Sequence, residues 1–257
     1  MKFLPWLIIL LISGCAFQRL AVTQLDNLIE IETASKLGLY RSQKRTLELD
    51  VTALLESQKP HLQSIAGLVN KIDPTKTAAF PGLWTEISVE YRRIALAFSG
   101  LLAKHLVTLD PKQRGHFFDK MKSDNEDILA KSETQDVDSV GKRVSFFFGE
   151  TSPAQEKVLE RNLPEIKRRT LARLERRQNL HKTLSDILSS TAFAADKERR
   201  ILAAFESYQL DAGMAQESVV KMIQDLCREL TPEQIATFKD KRKEALELIS
   251  LFKQTEF

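Results

Sequence analysis

The chain is poor in the residues that usually mark chemistry. Of 257 residues only nine are glycine, eight proline, two cysteine, two tryptophan and four histidine. No glycine-rich phosphate loop, dinucleotide fingerprint or Gly-x-Ser-x-Gly nucleophile turn occurs. The histidines, His61, His105, His116 and His181, are scattered without His-Glu-x-x-His or comparable spacing, so no metal site is expected and no cofactor is implied. Two cysteines exclude a disulfide framework. Charge of one sign is also missing: 38 Lys and Arg face 35 Asp and Glu, a net +3 that gives no reason to expect nucleic acid. Nor does any alternating strand pattern with hairpin turns interrupt the long stretches of Ala, Leu, Glu, Lys, Arg and Gln, which are helix formers. The expected class is all-α, a multi-helix bundle of long antiparallel members.

What is present begins at the amino end. Met1-Lys2 is a minimal positive segment, and Phe3 to Ile12 is an apolar run broken only by Pro5. That run has the length of a signal-peptide core and is too short to span roughly 30 Å of hydrocarbon as a helix. Ile12-Ser13-Gly14-Cys15 then resembles the bacterial lipobox. The resemblance implies cleavage after Gly14, leaving residues 15–257 as the body, and acylation of Cys15, the lipidation site. Several acyl chains anchor stably where one is marginal. Ala16, in place of the Asp that resembles an inner-membrane retention signal, implies an outer-membrane, periplasm-facing address in a two-membrane bacterium. With Cys15 lipidated, Cys227 stands alone within the apolar series Val219, Val220, Met222, Ile223 and Leu226, and burial is expected.

Apolar spacing of three, four and seven divides the rest into helices. Residues 16–38 carry Leu20, Leu25, Leu28 and Ile31 as one expected face. A long helix follows over 41–71, punctuated afterwards by Asp73-Pro74 and Phe80-Pro81-Gly82, then a helix over 83–107. Further helices are expected from Asp110 to about Lys131, up to Phe148 with Gly149 as a left-handed stop, over 153–188, 193–209 and 214–228, and from Thr231 onward. The length allows two subdomains, divided near 132–150.

One short pattern returns: Asp110-Pro111-Lys112-Gln113, Ser152-Pro153-Ala154-Gln155 and Thr231-Pro232-Glu233-Gln234. An Asp, Ser or Thr caps the exposed backbone N–H groups, Pro occupies a first-turn position that needs no N–H, and Gln reaches back to the cap. With a preceding Leu it reads L-T-x-x-Q outright at Leu230–Gln234, nearly so at Leu109–Gln113, and loosely at Leu39–Gln43. This resembles the repeat of the LTxxQ class of periplasmic stress chaperones, which are small, helical and dimeric. Over most of its length the chain resembles the DUF6279 family of bacterial lipoproteins, whose function is uncharacterised. That likeness rests on the lipobox, on Phe17–Leu28, on Leu39–Gln43, on Leu109–Gln113 and most specifically on Arg143–Gln155. Where that family has a Trp-His pair, this chain reads Leu55 to His61. The resemblance implies fold and address and supplies no activity.

The longest helix has an uneven charge. Arg161, Arg168, Arg169, Arg173, Arg176 and Arg177 form a basic strip that suits anionic head groups or an acidic partner; a solvated face is the plainer reading. With no catalytic constellation, three functional classes are ordered: a non-catalytic envelope lipoprotein binding other proteins in a helical groove, in a chaperone-like manner; an assembly lipoprotein recruiting a partner or anionic lipid through the basic helix; and last an enzyme. No small-molecule substrate is implied.

Overall fold

The computed structural model describes residues 22–213 and 217–257; the leader, the lipobox with Cys15, and Leu20 lie outside them. Among the described residues there are nine α-helices and no strand, an all-α multi-helix bundle. They are α1 Leu25–Leu37, α2 Arg41–Asn70, α3 Phe80–Leu106, α4 Pro111–Glu133, α5 Val137–Phe148, α6 Pro153–Ser189, α7 Ala194–Gly213, α8 Glu217–Arg228 and α9 Pro232–Gln254.

The helix starts follow the local chemistry. Asp110, Ser152 and Thr231 each accept the amide of the Gln three residues on, at 2.9, 3.3 and 3.3 Å. The three glutamines answer by accepting the cap residue's own amide at 3.1, 2.9 and 3.0 Å, so each capping box is complete. Gln43 accepts the Tyr40 amide at 2.9 Å, which supplies half of a fourth box. Tyr40 has no short oxygen to cap with, and its hydroxyl donates instead to Asp110 at 2.7 Å. Asp136 opens α5 with a box of its own to Ser139, which the repeat did not reveal because Ser replaces Gln.

Three local expectations are corrected. First, α3 starts at Phe80, three residues before the expected point, because Pro81 falls in a first turn where its missing N–H costs nothing. Second, Gly149 has a positive φ of 79° but ψ of −168°, so it ends α5 in an extended turn; the left-handed cap is Gly38, at φ 60° and ψ 39°. Third, α1 buries Leu25, Ile29, Thr33 and Leu37, four apart, while Leu28 and Ile31 remain 41% and 64% exposed.

The helix pairing has an internal symmetry. Within the first half, α1 packs on α2 and α4, and α2 on α3; within the second, α5 packs on α6 and α9, and α6 on both α7 and α8. Across the halves, α2 meets α9 and α6 meets α4, while α3 meets α7. Exchanging α1 for α5, α2 for α6, α3 for α7 with α8, and α4 for α9 reproduces the pattern. The halves therefore interlock. One core cluster contains Leu47, Val51 and Leu106 of the first half beside Leu184, Ile201 and Phe205 of the second.

Glutamines hold the equivalent corners. Gln43 and Gln113 exchange amide hydrogen bonds at 3.3 and 2.7 Å, and Gln155 and Gln234 do so at 3.2 and 2.8 Å. Gln113 also donates to the Gly38 carbonyl at 2.9 Å, and Gln234 to that of Glu150 at 2.7 Å, each two residues before the partner's cap. The recurring pattern is thus more than a set of helix starts: it joins helix starts in pairs. The second pair is the drier, with Gln155 fully buried and Gln234 6% exposed.

Candidate functional site

Core packing does not close everywhere. α1, α3, α5, α6 and α8 bound an open cleft of about 1860 Å³, larger than the roughly 300–1,000 Å³ of most small-molecule sites. Its apolar lining includes Leu83, Trp84 and Ile87 of α3, Val144 and Phe147 of α5, and Met222 of α8. Several of these groups face solvent: Leu28, Ile31, Val89, Tyr91 and Phe147 are all among the exposed large apolar residues. The Leu28 and Ile31 that depart from the expected core face of α1 are part of this lining. Scattered exposed apolar residues are ordinary, whereas a contiguous exposed patch marks a binding surface.

Cys227 sits in the cleft floor as a free, buried residue, as its apolar neighbours implied. Burial pushes its thiol up to about 12, which keeps it protonated and unreactive at neutral pH.

The basic strip of the sequence is divided by the fold into different environments. Arg161 is exposed, its Nε donating to the Lys157 carbonyl at 3.3 Å within the same helix. Arg168 makes a bidentate surface pair with Glu165, both bonds at 2.7 Å. Arg177 turns inward toward α4, where it is buried, donates to Asn125 Oδ1 at 2.8 Å and lies 4.0 Å from Asp124. Arg169, Arg173 and Arg176 share a third face, spaced by four and three, and all line the cleft. Arg92 and Arg143 join them from α3 and α5. The cleft wall thus contains five arginines and Lys221, opposed among its lining by Glu32 and Glu217.

These guanidiniums are poorly compensated. Burial pushes Arg169 below its ordinary value, with Glu165 pulling the other way; at Arg173, which keeps an exposed side, partial burial pushes the value down, Tyr208 pulls it up, and Arg177, Arg143 and Arg176 add to the fall. Both remain cations at neutral pH. The Arg176 Nε is buried with no hydrogen-bond partner, and so is the Gln58 Oε1, which also lies on the cleft. A positive field concentrated beside low-dielectric apolar walls attracts anions.

The four histidines each have a partner within the fold. His105 bonds Asp50 at 3.0 Å, His61 bonds Glu90 at 2.7 Å, His116 bonds the Ser35 carbonyl at 2.8 Å, and His181 stacks on Phe118. Among the described residues no group of His, Cys, Asp or Glu is arranged to hold a metal ion, and no helix is long and apolar enough to cross a membrane. Comparison of the chain with family models, with curated proteins and with solved structures finds no match.

Proposed function

We propose that this chain is a lipid-anchored, non-catalytic binding protein of the bacterial envelope, similar to the DUF6279 lipoproteins, and that the cleft is its working surface. Cys15 carries the acyl chains and tethers the helical body to the outer membrane, facing the periplasm. The observation that carries the binding reading is the open cleft itself, with exposed Ile31, Val89 and Phe147 on its rim beside a largely apolar lining. Such a surface suits capture of apolar segments of other envelope proteins in a chaperone-like manner. The arginine wall favours a second reading, recruitment of an anionic lipid.

The test of the first reading is light scattering of an unfolding client in the presence of the mature chain, residues 15–257 with Cys15→Ser. Suppression of aggregation at near-stoichiometric ratio, lost in Ile31→Glu/Val89→Glu/Phe147→Glu, is expected. Those three positions are exposed, so the variant keeps its core. Absence of suppression, or suppression unchanged in the variant, would overturn general client capture by the cleft. For the anchor, metabolic labelling with palmitate should mark the full-length protein and not Cys15→Ala.

A further inference from the structure

The two long helices occupy equivalent places in the interlocked halves, and their capping glutamines, Gln43 and Gln155, set a common count along them. On that count Leu47 matches Leu159, both fully buried, and Leu62 matches Leu174. Arg169, Arg173 and Arg176 match Ser57, His61 and Ser64. The first half therefore builds the same architecture with no arginine at any of the three positions. Nothing in the shared packing demands a cationic face on α6, and the face carries a cost, since clustered like charges beside apolar walls repel one another.

We infer that the cleft holds one molecule of an anionic phospholipid, its acyl chains against the apolar lining and its phosphate on Arg169, Arg173 and Arg176, with Arg143 beside them. This deepens the reading of the cleft as a binding site and rests on it. Charge complementarity supports the choice. Guanidinium groups present forked donors that match phosphate oxygens, and the Arg176 guanidinium has an Nε that no protein group satisfies. Size supports it as well, because the cleft exceeds the room of a usual small-molecule site. A purely apolar client would leave this arginine cluster uncompensated as it covered it; a phosphate relieves the repulsion as the tails cover the lining.

The chain has two tryptophans, Trp6 in the leader and Trp84 on the cleft, so the mature chain carries a single reporter at the site. Residues 15–257 with Cys15→Ser would be titrated, below micelle formation, with dihexanoyl phosphatidic acid, dihexanoyl phosphatidylcholine and inorganic phosphate, following Trp84 emission and melting temperature. The expected order is phosphatidic acid tighter than phosphatidylcholine by about tenfold or more, a factor in the range of one charge-assisted contact set, with phosphate alone weaker than both. Arg169→Gln/Arg173→Gln/Arg176→Gln should bring phosphatidic acid to the affinity of phosphatidylcholine, leave the latter unchanged, and leave the ligand-free melting temperature equal or higher. Ile31→Glu/Val89→Glu/Phe147→Glu should weaken both phospholipids.

Equal affinity for the two head groups would overturn the proposal, as would undiminished phosphatidic acid binding by the triple glutamine variant. Failure of both phospholipids to bind, with client aggregation still suppressed, would overturn the lipid occupant and leave the cleft as a protein-binding surface. Loss of both activities would remove the cleft reading altogether.

Discussion

α2 and α6 are two long helices in equivalent settings, each entered through a capping glutamine and each crossing to a helix of the opposite half. They agree at positions that make the bundle and differ where α6 faces the cleft. Leu47 and Leu159 have no exposure, and each capping glutamine joins a distant partner. Further along, α2 offers Ser57, His61 and Ser64 where α6 offers three arginines. Repetition within one chain thus serves as an internal control: what both copies keep is architecture, and what one copy alone carries requires another reason.

The most severe test of that equivalence is the core. Leu47→Ala and Leu159→Ala should each cost about 2–5 kcal/mol of unfolding free energy in denaturant titration, since each deletes a fully buried side chain. A large loss in one and almost none in the other would break the proposed correspondence of the two helices.

Next come the glutamine corners, where the two halves are expected to diverge in degree. Gln155→Ala removes a fully buried capping side chain and its exchange with buried Gln234, which keeps its bond to the Glu150 carbonyl, and should cost about 1–3 kcal/mol. Gln43→Ala should cost less, about 1 kcal/mol, because Gln43 is only half-buried and water can replace the bonds it loses. Equilibrium denaturation of the two variants side by side would show the ranking, and a larger loss at Gln43 would reverse the assignment of the drier corner.

The faces of α6 provide a smaller contrast. Arg177→Ala removes the donor that satisfies buried Asn125 and should destabilise by about 1–3 kcal/mol. Arg173→Gln, on the cleft face, should change ligand-free stability by no more than about 0.5 kcal/mol or raise it. Thermal melts of both at low salt would decide the matter, and a severe loss at Arg173 would make the cationic wall structural.

The mildest effect is one of pH, and it arises where the halves differ again: Asp50 on α2 corresponds by the same count to Asn162 on α6. Asp50 holds His105, whose burial lowers it from its ordinary 6.5 in spite of the carboxylate. The unfolded chain therefore takes the proton first. Stability from this group is held above about pH 6.5 and lost as pH falls from there through the lower folded value. Melting temperature should decline on acidification below pH 6.5, and His105→Gln should flatten that decline; an unchanged slope would assign it elsewhere, with burial-lowered His181 the next group to test.

Much of this is legible in the sequence. The helix starts at Pro111, Pro153 and Pro232 were readable because a capping box is a contact between residues three apart, and the sequence holds both partners. Burial of Cys227 followed from the apolar neighbours on its own helix. Phe80 as the first residue of α3 was hidden because Pro81 and Gly82 also signal a connection, and only the helical context decides which role Pro plays. The face of α1 departs from expectation for a different reason: Leu25, Leu28 and Ile31 share helical spacing, yet whether such a face meets a core or an open cleft depends on what lies opposite. The same limit applies to the arginines. Six on one helix resemble a single strip, and the fold sends Arg161 and Arg168 to solvent, Arg177 to α4 and Arg169, Arg173 and Arg176 to the cleft.

By itself, then, the sequence determined the helical class, the capped starts and the identity of the cationic residues, all of which depend on propensity and on contacts within a turn. Tertiary structure alone decided that the glutamines meet in pairs at sequence separations of 70 and 79, that the halves interlock, and that the apolar faces leave a cleft unfilled. Those outcomes depend on long-range packing, where a side chain's partner is set by the path of the whole chain and local sequence holds no record of it.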